Sequence, residues 1–185
     1  GNNDELDGVT PVIGTNPGEV TLTTVSVPTE LVLNTDGTIT VQPNAPSGTY
    51  VVEYQICENG ANPTNCDNAT ATVLVKNVID AVVDDFAVTP ITIGDSTPSV
   101  AWNNVELDGV TPVCGPNPGE LTLTTVSVPT ELLLKTDGTI TVQPIPPSVT
   151  YVVEFQICEN GAHPTNFHIP TATVLGKNLI YAVVD

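Results

Sequence analysis

ELDGVTPVIGTNPGEVTLTTVSVPTELVLNTDGTITVQP, residues 5–43, returns at residues 106–144 as ELDGVTPVCGPNPGELTLTTVSVPTELLLKTDGTITVQP. The match runs on without a gap to the shared AVVD at residues 81–84 and 182–185. The offset is 101 residues, and only 17 of the 80 aligned positions differ. Two copies this close are one structural unit used twice. Solenoid repeats are roughly 20–45 residues long. A period near 100 residues is instead the size of one β-sandwich domain.

Inside the repeat the hydrophobic period is two. Tyr50, Val52, Tyr54 and Ile56 point one way while Glu53 and Gln55 point the other, which is the pattern of a half-buried strand. Asp36-Gly37 between Leu31–Asn34 and Thr38–Val41 signals a hairpin, because Gly accepts the positive φ of the turn. Pro28, Pro43, Pro46 and Pro63 fall between the apolar runs, as strand breakers do. No stretch has a helical period. The expected fold class is all-β: tandem Ig-like β-sandwich modules of about seven strands each, in an elongated rod.

The phase of the repeat sets the expected domains. Residues 1–78 are an Ig-like repeat lacking its first strands, 79–178 a complete repeat, and 179–185 the start of the next. The segment VIDAVVDDFAVTPITIGDSTPSVA at 78–101 has no counterpart ahead of Gly1. The chain is therefore expected to be a window on a longer array. The alternative is that another chain supplies the missing strand, since an incomplete sandwich exposes an edge that pairs readily.

Three basic residues stand against 21 acidic ones, for a net charge of −18. That charge repels phosphate backbones and anionic membranes, so nucleic acid is excluded as a partner. No apolar run is long enough to insert across a bilayer. Forty per cent hydrophobic residues supply packed cores rather than a disordered acidic tail.

Cys57 and Cys66 bracket the loop CENGANPTNC, and a bridge between them would pin the mouth of a hairpin. The second copy keeps Cys158 but has Phe167 in place of Cys66, and has gained Cys114 in place of Ile13. One partner lost and one gained suggests a Cys114–Cys158 bridge, with two free buried thiols as the alternative. Four cysteines without a C-x-x-C argue against a metal cluster and for an oxidising, extracellular compartment.

Acidic and amide residues gather at the module entrance: Asp84, Asp85, Asn103, Asn104, Glu106 and Asp108. Oxygen-only donors of this kind suit Ca²⁺. The competing reading gives them turn and strand-end roles, satisfying local backbone groups. His163 and His168 occur in one copy only and read as part of a solvated loop. There is no G-x-S-x-G, phosphate loop or H-E-x-x-H, and the expectation is a protein that is not an enzyme.

The stretch DGTITVQPNAPSGTYVVEYQICENGANPTNCDNATATV, residues 36–73, resembles a repeat of giant cell-surface proteins of Bacteroidota, gliding-motility adhesins among them. Tyr50, Ile56, Cys57, Glu58 and Cys66 carry the resemblance, and AVVDDF…WNN is similar to the openings of such modules. The second copy departs from the pattern at Val149, in place of Gly48, and at Phe167. The resemblance implies secretion to the cell surface and a structural or adhesive place in a long filament. The expected partners are neighbouring repeats or identical subunits, and surface glycans. The alternatives are a fibre subunit polymerising by strand complementation between chains, and a carbohydrate- or ice-binding module.

Overall fold

A computed structural model describes residues 4–144 and 147–178. The expected start of a third repeat, 179–185, lies outside the described residues. The chain divides into two compact units, Gly1–Val75 and Lys76–Asp185. Every regular element among the described residues is a strand, so the chain is all-β.

Unit 1 holds β1 (Val20–Ser26), β2 (Leu31–Leu33), β3 (Ile39–Val41), β4 (Gly48–Glu58) and β5 (Cys66–Val75). β1, β4 and β5 form one antiparallel sheet with β4 in the middle. β2 and β3 form a separate hairpin. Its loop is legible atom by atom. Gly37 N–H donates to the Asn34 carbonyl at 3.0 Å, Asn34 N–H donates to the Thr38 carbonyl at 2.8 Å, and Gly37 has φ +82°. This is a type I turn closed by a left-handed glycine. Asp36 Oδ1 accepts from the Thr38 amide at 3.0 Å and hydroxyl at 2.6 Å, which fixes the turn from inside.

Unit 2 holds β6 (Ile79–Ala81), β7 (Asp84–Ile91), β8 (Val105–Leu107), β9 (Leu121–Ser127), β10 (Leu132–Leu134), β11 (Ile140–Val142), β12 (Thr150–Glu159), β13 (Phe167–His168) and β14 (Thr171–Gly176). β12 is the central strand of the large sheet. β9 lies on one side of it and β13 and β14 on the other, and β7 adds to the far edge of β14 in parallel. β13 and β14 correspond to the single strand β5 of unit 1. Pro170 stands where unit 1 has Ala69, and a proline removes a donor from the ladder. The strand therefore breaks there, although the Pro170 carbonyl still accepts from Phe155 N–H at 3.3 Å.

The sandwich core of unit 2 follows from the period of two. Tyr151, Val153, Phe155 and Ile157 of β12 and Ala172 and Val174 of β14 face inward, against Leu132, Leu134, Ile140 and Val142 from the β10–β11 hairpin. Ile79, Ala81 and Val105 of the β6–β8 pair, together with Val100 and Ala101, complete the cluster. Trp102 is partly buried against it. In unit 1 the buried apolar side chains among the described residues are Val20, Leu31, Ala45 and Val52. In both units a tyrosine ties the entry of the long strand to a proline carbonyl: Tyr50 donates to Pro46 at 2.8 Å and Tyr151 to Pro147 at 3.0 Å.

Candidate functional site

Asp84, Asn103 and Asn104 come together. Asp84 opens β7 with its side chain inward and is 6 % exposed. Asn104, in the turn leading into β8, donates its Nδ2 to Asp84 Oδ1 at 3.0 Å. Asp84 Oδ2 and Asn104 Oδ1 are both buried and accept no hydrogen bond among the described residues. Burial pushes the Asp84 carboxyl up to about 6, against the lowering effect of the hydrogen bonds from Asn104 and Asn103.

The other three expected ligands point elsewhere. Asp85 is the next residue along β7, so the pleat turns it to the opposite face. It accepts there from the Thr173 hydroxyl at 2.6 Å and from Ala87 N–H at 2.9 Å. Those bonds hold it below the ordinary carboxylate range. Glu106 is exposed on β8. Asp108 sits at φ +52° in the turn after β8 and accepts from Val78 N–H at 2.7 Å, the turn role set against calcium in the sequence. A Ca²⁺ ion takes roughly 6–8 oxygen ligands. Among the described residues no three His, Cys, Asp or Glu side chains converge. The six residues do not fit a calcium shell.

The cysteines divide by copy. Cys57 and Cys66 face each other across β4 and β5 and form a disulfide, with Cα atoms 4.1 Å apart. Cys114 and Cys158 are free thiols, so the bridge expected between them is not made. Strand order is the reason. Cys114 pairs with Leu121 on one side of β9, and Cys158 pairs with Thr122 on the other. Two strand spacings put their Cα atoms about 9–10 Å apart, beyond the reach of roughly 7 Å that a disulfide allows. Burial raises both thiols, and the charge of Glu120 raises Cys114 further. Both therefore stay protonated and weakly nucleophilic at neutral pH. Peptide mapping under non-reducing conditions is expected to recover one linked pair, Cys57 with Cys66, and two alkylated cysteines. Closing this short loop contributes roughly 2–3 kcal/mol, so Cys57→Ser with Cys66→Ser should lower the unfolding free energy of unit 1 by that amount in urea titration.

Two features are not announced by the sequence motifs. Glu159 is buried and accepts from Asn77 Nδ2 at 2.6 Å and Asn166 Nδ2 at 2.7 Å, which anchors the start of unit 2 to the tip of β12. The Glu58–Asn65 bond of unit 1, at 2.9 Å, repeats one half of this contact, so the Glu–Asn spacing kept in both copies is its signal. The second feature is an open cleft of about 690 Å³ in unit 1, with Leu22, Leu33, Ile39, Tyr54 and Ala71 among its lining residues. Tyr54 donates its hydroxyl to the Asp4 carboxylate at this cleft, at 3.1 Å. The corresponding Phe155 of unit 2 is fully buried.

No protein-family model matches the chain, and no curated protein sequence matches it. Solved structures that resemble it include mouse cadherin-23 EC22–24, at 13 % identity and a TM-score of 0.37 over 86 % of this chain and 53 % of that one. Drosophila N-cadherin EC1–4 resembles it at 11 % identity and a TM-score of 0.33, over 86 % and 41 %. An endo-fucoidan hydrolase of glycoside hydrolase family 107 does so at 16 % identity and a TM-score of 0.36, over 87 % and 24 %. The chain thus spans about half or less of each of these three chains.

Proposed function

We propose that this chain is a non-enzymatic, structural or adhesive repeat of a long secreted cell-surface protein. The observation that carries this reading is the duplication itself: one 80-residue pattern recurs at an offset of 101 residues, with residues 5–75 of the first copy in one compact β unit and the second copy in the other. A repeat that folds unit by unit extends a surface protein by adding modules, each bringing its own core. The oxidised Cys57–Cys66 pair suits an extracellular compartment. The net charge of −18 keeps such an array soluble and away from anionic membranes. The resemblance of residues 36–73 to gliding-motility adhesins favours a surface filament of that kind, with neighbouring repeats as the first partners and surface glycans as the second.

The test is made on cells. Antibodies raised against the purified chain are expected to label intact, unpermeabilised cells, and deletion of the repeats is expected to reduce attachment to glass or to glycan-coated beads. Recovery of the protein in the soluble intracellular fraction with Cys57 and Cys66 reduced would overturn the reading.

A further inference from the structure

The large sheet of unit 2 has two edge strands, and their sequences differ in kind. One is β7, which carries Asp84, Asp85 and Pro90. Charge and proline are how natural sheets keep an edge from pairing with another chain. The other is β9, LTLTTVS, which has no charge, no proline and no glycine. Leu121 shows which way its backbone points. Its N–H donates to the Val113 carbonyl at 2.9 Å and its carbonyl accepts from Gly115 N–H at 3.1 Å, on the side away from β12. Alternate residues share that side, so the N–H and C=O groups of Leu123 and Thr125 point outward as well. They have no partner among the described residues. The open stretch lies between the loop at 113–115 and a bulge at Val126.

Unit 1 repeats this edge in β1, VTLTTVS. Val20 N–H donates to the Val12 carbonyl at 2.9 Å and its carbonyl accepts from Gly14 N–H at 3.0 Å. Leu22 and Thr24 then point outward, again without a partner among the described residues. The last four residues of both strands are exposed. Unit 2 contains the segment 78–101 that comes before its edge strand, and unit 1 is followed by the whole of unit 2. The edge is open in both, so neither the chain before a repeat nor the chain after it covers this strand.

We propose that this edge is a self-recognition surface: β9 and β1 pair, antiparallel, with the same edge strand of a second copy of the chain. Leu123 and Thr125, and Leu22 and Thr24, exchange main-chain hydrogen bonds with their counterparts. Charge selects the partner. The chain holds 21 acidic residues, but none lies in either edge strand. A second copy of the strand therefore sets Thr and Leu against Thr and Leu, with no like charges directly opposite. Uncharged, β-branched and proline-free segments of this length pair readily with themselves. The same patch serves both partners, as a twofold contact requires. Each open stretch is short, so one contact is weak, and an edge displayed by both repeats lets weak contacts add. The proposal takes from the surface-repeat reading only the supply of further copies; the edge itself stands on the strand pairing.

Sedimentation velocity of the full chain over a concentration series, in about 0.15 M salt, tests this together with amide exchange on the same samples. The sedimenting mass is expected to rise above that of one chain with concentration. The amides of Leu22, Thr24, Leu123 and Thr125 are expected to exchange about tenfold more slowly in the concentrated sample than in the dilute one. Those of Thr122 and Thr124 face β12 and are unchanged. At about 0.01 M salt, where repulsion reaches roughly 30 Å, association weakens. Thr24→Pro with Thr125→Pro removes outward-facing donors only and is expected to leave a single chain at every concentration. Thr23→Glu with Thr124→Glu keeps every amide, sets like charges opposite each other and should have the same effect. A far-UV dichroism spectrum equal to the parent's shows that these variants fold. A parent chain that stays single at its highest soluble concentration overturns the proposal. So does association that both double variants keep, or slowed exchange at β7 in place of the four edge amides. A single chain in solution would leave the surface-repeat reading standing, whereas an intracellular protein that pairs through these edges would remove that reading and leave this one.

Discussion

Phe155→Ala is expected to lower the unfolding free energy of unit 2 by roughly 3–5 kcal/mol. Phe155 is fully buried at the middle of β12, between β9 and β14, and belongs to a cluster fed from both layers of the sandwich. Truncation removes the ring's transfer free energy and leaves a cavity that strands held on both sides collapse into poorly. Trp102 is the only tryptophan and packs against this same core, so its fluorescence during urea unfolding reads unit 2 directly. The sister substitution, Tyr54→Ala, supplies the contrast. Tyr54 occupies the same register position in unit 1 but is only half buried, at the open cleft. Its loss should be less than half as large, because less apolar area returns to water. Equal losses at the two positions would mean that the face of unit 1 is as well covered as that of unit 2.

What the sequence disclosed is what depends on neighbours in the chain. The inward set Tyr50, Val52, Tyr54 and Ile56 and the Asp36-Gly37 turn are local patterns, and both were readable. The uncovering of Val41 was not. Its copy Val142 lies in the same local sequence, and the difference comes from residues 92–101, which pair with it from more than 40 positions away. The parallel pairing of β7 with β14 joins residues 88 apart, as Asp84 with Ala172, and leaves no local mark. Cys114 and Cys158 show the same limit, since counting lost and gained partners does not reveal that β9 lies between them. The cluster of six oxygen ligands failed for a reason that was legible: a strand turns adjacent side chains to opposite faces, so Asp84 and Asp85 in β7 do not bind one ion together. The break at Pro170 was legible too, because a proline within a paired run marks where the ladder stops.

Asp84→Asn is expected to stabilise unit 2 at pH 7 by about 3 kcal/mol, with the gain vanishing below about pH 4. In the fold the carboxyl titrates at about 6, raised by burial from an ordinary 3.8. Between those two values the folded state holds a proton that the unfolded state has released. Stability is therefore lost as pH rises from about 3.8 to about 6, and the whole cost is present at neutral pH. Asp85, Glu120 and Asp137 are held below the ordinary range by hydrogen bonds. Their contribution has the opposite sign, present above their ordinary pKa and lost on acidification, so the raw pH curve mixes both. Subtracting the curve of Asp84→Asn from that of the parent isolates the one group. The amide suits the site for a second reason. Asp84 Oδ1 already accepts from Asn104 Nδ2, while Asp84 Oδ2 and Asn104 Oδ1 face no donor. An N–H in place of Oδ2 supplies the donor that this carboxyl–amide contact lacks, as the acid's own proton does in the fold below about pH 6. Asp84→Ala is the control: it removes the charge but also strips Asn104 Nδ2 of its acceptor, so it should recover less than half of the gain. Trp102-monitored urea titrations from pH 4 to pH 8 decide the matter. A difference between parent and Asp84→Asn that does not change with pH, or an Asp84→Asn protein less stable than the parent at pH 7, would show that a partner holds this buried carboxylate ionised.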